Sequence, residues 1–133
     1  MIASLIVAVV LAQSPGEMFA KANAARAAMG SPPFVWDERL AACARDAVAR
    51  NWDMHEQFTQ RSARYGANAS AEGSFPGVYT IDGIFSMMRT HPRMSRGAHA
   101  SHFRDPGHRR IGMAYGGNGP TSDGPFFIIC YGR

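Results

Sequence analysis

From Ser14 onward the chain alternates between stretches with helical spacing of apolar positions and stretches with none. Ser14-Pro15-Gly16-Glu17 has the S-x-x-E form of a capping box, with proline at the first helical position, where its missing N–H costs nothing. Phe19, Ala22, Arg26 and Met29 follow at three- to four-residue spacing and predict a helix that Gly30 and Pro32-Pro33 stop. Asp37 then caps a second helix whose inner stripe is Leu40, Cys43, Ala44, Ala47 and Val48. A third helix begins at Thr80, turns Ile81, Ile84, Phe85 and Met88 to one side, and ends at Pro92.

Between residues 51 and 79 neither period holds, and Gly66, Gly73, Pro76 and Gly77 predict a long connection of the kind that often carries function. The segment after Pro92 reads as loop. Arg110 to Tyr115 and Phe126 to Tyr131 read as strands joined by the turn-rich GGNGPTSDGP. The second strand is apolar at both alternating sets of positions, which predicts helices packed on each face of its sheet. At 133 residues the chain has room for one domain and one core, with no internal repeat.

The first residues differ from all of this. Ile2 to Ala12 is an uncharged apolar run, shorter than the roughly 20 residues a membrane span needs. It reads as the core of a signal peptide, residues 1–12, cleaved before Gln13, with a buried first element as the alternative. That leaves residues 13–133 as a single exported domain, secreted, extracellular or periplasmic, and not transmembrane after cleavage.

Lys and Arg together number 14 against 10 acidic residues, a net charge of +4. The basic residues are dispersed apart from Arg109-Arg110, whereas a phosphate-reading surface needs a concentrated stripe, so nucleic acid is not the expected partner. Weak, salt-sensitive attraction to an anionic envelope fits this charge. Two cysteines, Cys43 and Cys130, leave two readings open: a disulfide closing most of the domain, or two buried thiols packed as small hydrophobes.

The stretch SRGAHASHFRDPGHRRIG holds His99, His102 and His108. As a local zinc triplet it is poor, because Arg104, Arg109 and Arg110 set positive charge beside any cation. His55-Glu56 opens a two-histidine zinc motif that Thr59 breaks. No G-x-S-x-G elbow is present, and Gly116, Gly117 and Gly119 follow a strand without opening a helix. The sequon Asn68-Ala69-Ser70 has meaning only in a eukaryotic secretory pathway.

The run from Asn23 through Arg26, Gly30 and Pro32-Pro33 to Trp36-Asp37-Glu38-Arg39-Leu40 resembles the opening of the CAP superfamily, the cysteine-rich secretory proteins, antigen 5 and pathogenesis-related proteins, also called SCP-like. A second bacterial-type segment, from the family's cleft histidine through Asp-Pro to Ile-Gly, aligns without a gap on His99, Asp105-Pro106 and Ile111-Gly112. His102 and His108 then fall on asparagine and aromatic positions, as bystanders.

The resemblance implies an α+β fold, a three-layer α-β-α sandwich with a small sheet between helices. It gives structural roles to Asn23, Arg26, Trp36, Asp105 and Gly112. It also implies a groove lined by His55, Glu72 and His99, with His55 and His99 as candidate ligands for a divalent metal such as zinc. A second family glutamate is replaced by Met88, its preceding tryptophan by Phe85, and the arginine after the cleft histidine by Ala100. The implied function is a secreted binding or interaction module for a lipid, envelope or surface ligand. The alternative is a metal-assisted, protease-like hydrolase, so whether the chain is an enzyme stays open.

Overall fold

Each predicted helix start carries its side-chain cap. The computed structural model describes residues 14–51, 55–77, 80–116 and 125–133. Helix α1 (Pro15–Ala28) begins with the Ser14 hydroxyl accepting from the Glu17 N–H at 3.1 Å. Helix α2 (Glu38–Ala49) begins with the Asp37 carboxylate accepting from the Arg39 N–H at 2.8 Å. Helix α4 (Ile81–Thr90) begins with the Thr80 hydroxyl accepting from the Gly83 N–H at 3.1 Å. Such caps satisfy N–H groups that have no partner inside the helix. Gly30 adopts φ +82 just past α1, a conformation that favours glycine.

Two stretches expected to be irregular are not. The long connection contains α3 (Phe58–Arg64) and strand β2 (Ala71–Pro76). The histidine segment contains a 3₁₀ turn, Met94–Arg96, and helix α5 (Ala98–Arg104), so His99 and His102 are helical. The expected leader at residues 1–12, its cleavage point, and most of the GGNGPTSDGP connection lie outside the described residues.

Strands β1 (Val35–Trp36), β3 (Arg110–Gly116) and β4 (Phe126–Gly132) join β2 in a mixed sheet of order β1-β3-β4-β2. β1 runs parallel to β3, while β4 lies antiparallel to both β3 and β2. Alternate side chains of a strand point to opposite faces, so the register divides the core. Ile111, Met113, Phe127, Ile129 and Tyr131 pack with α1, α4 and α5. Ala114, Phe126, Ile128 and Cys130 pack with α2. The described residues thus form an α+β fold of five helices and a four-stranded sheet, with helices on both faces.

Of the residues expected to be structural, Arg26 and Asn23 tie separate segments together, whereas the Trp36 and Asp105 side chains make local hydrogen bonds. Arg26 is fully buried over the Phe34 ring and donates to the carbonyls of Pro32, Phe103, Asp105 and His108. Burial pulls its pKa down from the ordinary arginine value. Asn23 accepts from the Phe34 N–H at 2.7 Å, holding the double-proline segment against α1. Trp36 donates from its indole to Glu38 at 3.0 Å, and Asp105 accepts from the Gly107 N–H at 2.8 Å. His108 is buried, bonded through Nδ1 to the His102 carbonyl and stacked on Tyr131 at 5.2 Å, so its role is packing. No described helix is long and apolar enough to cross a membrane.

Candidate functional site: a histidine–carboxylate pair at the edge of the sheet

Register builds the site. Cys130 on β4 stands opposite Glu72 on β2 and opposite Gly112 on β3, so all three face α2. A side chain at Gly112 would be impossible, since a Cβ there would lie 2.1 Å from the Ala41 nitrogen. Glycine lets α2 lie close on the sheet. That approach brings Cys43 of α2 beside Cys130.

Into this layer α3 delivers Arg61, which is fully buried. Its guanidinium donates to both Glu72 oxygens, at 2.8 and 3.0 Å, to the Cys43 carbonyl at 3.1 Å, and to Cys43 Sγ at 3.4 Å. It also donates twice to the Glu56 carbonyl, at 3.0 and 2.8 Å. Burial alone would lower the pKa of Arg61, but the hydrogen bonds and charge of Glu72 raise it overall. The Glu56 turn that Arg61 clamps holds His55 at φ +69 and Gln57 at φ +56, left-handed conformations uncommon for residues with a Cβ.

His55 Nδ1 lies 3.1 Å from Glu72 Oε1, and Cys130 Sγ lies 3.3 Å from Glu72 Oε2. With the two bonds from Arg61, the roughly four acceptor sites of the carboxylate are all used. Glu72 thus spends its acceptor sites on Arg61, Cys130 and His55, and its contact with Nδ1 fixes the His55 ring. A hydrogen bond from Nδ1–H to a carboxylate leaves Nε2 as the basic nitrogen, and the His55 side chain is 48% exposed.

His99 reaches the same edge from the other side. Gly73, next after Glu72, points to the opposite face, where a Cβ would sit 3.6 Å from His99 Nδ1. The His99 ring packs on Phe75 with centroids 4.4 Å apart. Burial lowers its pKa first, and the charges of His55 and His102 lower it further, so its neutral form is favoured. His55 and Glu72 are thus in direct contact, while His99 stands across β2 within electrostatic reach. Among the described residues, the metal-ligating atoms that gather within 4.8 Å of one another belong to Cys43, Glu72 and Cys130, not to the histidines. Met88, at the position of the missing glutamate, is fully buried in the core, as is Ala100.

Beside His99 opens a cavity of about 430 Å³, walled by Phe75, Ile84, Met87 and Met94 with Thr80 and Gly83. That volume is within the range of small-molecule sites. Arg61 is one of the dispersed basic residues of the sequence, and its buried role is not expected from the pattern. Its signal was faint: α3 has no apolar stripe, and what it buries is Arg61 together with Ser62.

The geometry is that of an α-β-α sandwich with a carboxylate-oriented histidine at one sheet edge and an apolar cavity beside a second histidine. Residues 19–131 match the model of the cysteine-rich secretory protein family, CAP, and the chain belongs to that family. No curated protein matches the chain. Among solved structures it is similar to a cysteine-rich secretory protein from Staphylococcus aureus subsp. aureus Mu50, with TM-score 0.60 and 12% identity over 90% of this chain and 38% of that one. It is also similar to an outer surface protein from Borrelia burgdorferi, with TM-score 0.60 and 12% identity over 87% of this chain and 90% of that one. At such identity these likenesses are of fold. The chain spans well under half of the staphylococcal protein.

Proposed function

We propose that the protein is an exported binding module, residues 13–133 behind a cleaved leader, that takes an acyl chain of an anionic envelope lipid in the cavity beside His99. The observation that carries this reading is the cavity's lining. Its largest walls are Phe75, Ile84, Met87 and Met94, and His99, favoured neutral, is the titratable side chain among its lining residues. Met87 is one of the large apolar side chains left exposed. Methionine walls adapt to flexible apolar ligands. Exposed Arg93 and Arg96 flank Met94 and supply charge complementary to an anionic headgroup.

The test is titration of the purified protein with lauric acid and with anionic phospholipid vesicles, beside Ile84→Trp, which fills the cavity. Saturable binding that the tryptophan weakens at least tenfold supports the reading. Equal binding by both proteins, or none, overturns it. Export is tested separately by fractionating cells that express the full chain with and without residues 1–12.

The His55–Glu72 contact favours a second reading, hydrolysis assisted by a metal held between His55 and His99. The chemistry such an ion supplies is polarisation of a carbonyl or activation of water. His55 would bring its oriented Nε2, but with Glu72 saturated the set offers two imidazoles and no carboxylate. Zinc titration on the wild type and on His55→Ala and His99→Ala tests it: saturable binding lost in both variants is required.

A further inference from the structure

We propose that Cys43 and Cys130 close into a disulfide when the protein is oxidised, and that closing it takes Cys130 off Glu72, so that redox state resets the support beneath His55. Both thiols are fully buried, and they stand on facing elements, α2 and β4, with sulfurs no more than 4.8 Å apart. The bond length to be reached is about 2.05 Å, so side-chain rotation and a small settling of α2 have to close the gap. Gly112, which lets α2 lie on the sheet, makes that approach available.

The two sulfurs are chemically unequal. Cys43 has the Arg61 guanidinium at 3.4 Å, and its pKa is lowered, first by the hydrogen bond with Cys130 and then by the charge of Arg61. Cys130 lies against the Glu72 carboxylate at 3.3 Å, and burial pushes its pKa up. Wherever Arg61 is in place beside Cys43, its charge favours Cys43 as the thiolate that attacks first and leaves Cys130 to resolve.

With a low-molecular-weight disulfide RSSR as oxidant, the Cys43 thiolate attacks one sulfur, forming Cys43–S–S–R and releasing RS⁻. The Cys130 thiolate then attacks the Cys43 sulfur, forming the intramolecular bond and releasing the second RS⁻. The two protein thiol protons end on the two released thiolates, and two electrons pass from the cysteines to RSSR. Because both thiols are buried, the exchange runs as the chain folds or when α2 lifts from the sheet. The product has no S–H to give Glu72, which keeps Arg61 and His55 as its partners.

A thiophilic cation is the rival occupant of this cluster. The Arg61 guanidinium already supplies its positive charge, 2.8 Å from Glu72 Oε2 and in contact with Cys43 Sγ. The inference rests on the exported reading only for the oxidant met in the cell, and the test supplies its own.

The chain is refolded with a glutathione redox couple, and thiols are counted in denaturant beside the non-reducing intact mass and the metal content. The expected result is no titratable thiol, a mass lower by two hydrogens and no metal. Reduction should then lower Tm by roughly 10–20 °C, as expected for a crosslink closing a long loop. Cys43→Ala and Cys130→Ala should each erase that redox dependence of Tm. The His55 imidazole NMR resonances should shift between the two states of the wild type. Two titratable thiols after refolding, or thiols masked by a stoichiometric metal, overturn the disulfide; unmoved His55 resonances overturn its link to Glu72. Failure of this test leaves export and lipid binding standing, since neither readout depends on them.

Discussion

The two faces of the sheet are built on opposite principles from the same strands. On the α2 face the helix presents alanines, Ala41, Ala44 and Ala47, over a glycine, and the layers approach closely. The space left holds a buried polar cluster in which Glu72, Arg61, Cys43 and Cys130 are hydrogen-bonded to one another. On the other face bulky residues, Phe75, Phe85, Phe103 and Phe127, meet edge to face or tilted. Beside them, where α4 and the 3₁₀ turn meet β2, a cavity remains. Small side chains let the layers of one face approach closely, and beside the large ones of the other a cavity remains. The histidines sit where the two meet, at the edge strand.

If close approach is what makes the α2 face, the largest effect should come from Gly112→Val. Its Cβ would strike backbone of α2, which cannot swing aside as a side chain can. The expected outcome is loss of the folded protein, a cost above about 4–5 kcal/mol. Circular dichroism and soluble yield check it; a folded Gly112→Val protein of near wild-type stability would break the comparison.

Next in size is Arg61→Met, which leaves Glu72 charged and buried without its guanidinium. Removing one partner of a buried pair costs roughly 3–5 kcal/mol, read by urea denaturation. Arg61→Met with Glu72→Leu should recover most of that loss, because no charge is then stranded. The double variant would lose the orientation of His55, which separates stability from site geometry. If the single and double variants are equally unstable, packing rather than charge holds this face.

The same contrast explains what could be read from the chain beforehand. Ser14, Asp37 and Thr80 were legible because a cap is a local bargain between a side chain and an N–H two or three residues on. Strand β4 was legible because it is apolar on both faces. The α2-face cluster was not, since β2 is the sequence AEGSFP, with a carboxylate, a glycine and a proline where a strand reader expects branched apolar residues. α3 reads FTQRSAR, and its buried residues are Arg61 and Ser62. α5 has seven residues after a glycine and no side-chain cap. In each of these the stabilising partner is distant in sequence: Glu72 for Arg61, Phe75 for His99. The family's motif carried His99, and no local pattern did.

A smaller effect belongs to the rim of the α2 face, where Asp37 caps its helix and also accepts from Arg110, at 2.6 Å. Although burial opposes it, hydrogen bonds from Arg39 and Arg110 bring the Asp37 pKa from 3.8 down to about 2. A depressed carboxylate pKa means the unfolded chain binds the proton more readily. The stabilisation is therefore complete above about pH 4 and is lost as pH falls through 2. Its size is about 2 kcal/mol at neutral pH. Asp37→Asn should be less stable than wild type at pH 7 by that order, with the gap narrowing toward pH 2 in denaturant titrations.

The smallest effect sharpens the other face. His99 is held toward its neutral form by burial, then by His55 and His102, so its folded pKa lies below the 6.5 of an unperturbed histidine. The unfolded chain then takes up the proton first as pH falls, and stability contributed by neutral His99 is full above 6.5 and declines below it. His99→Gln keeps a polar side chain without that titration, so it should flatten the loss of stability between pH 7.5 and 5.5 rather than change its level. Urea midpoints at the two pH values give the slope. His55→Gln should flatten it less, because it removes one of the charges acting on His99 and leaves the burial. If His99→Gln leaves the slope untouched while His55→Gln removes it, the titrating group belongs to the carboxylate side of β2, and the apolar face takes no part in the pH response.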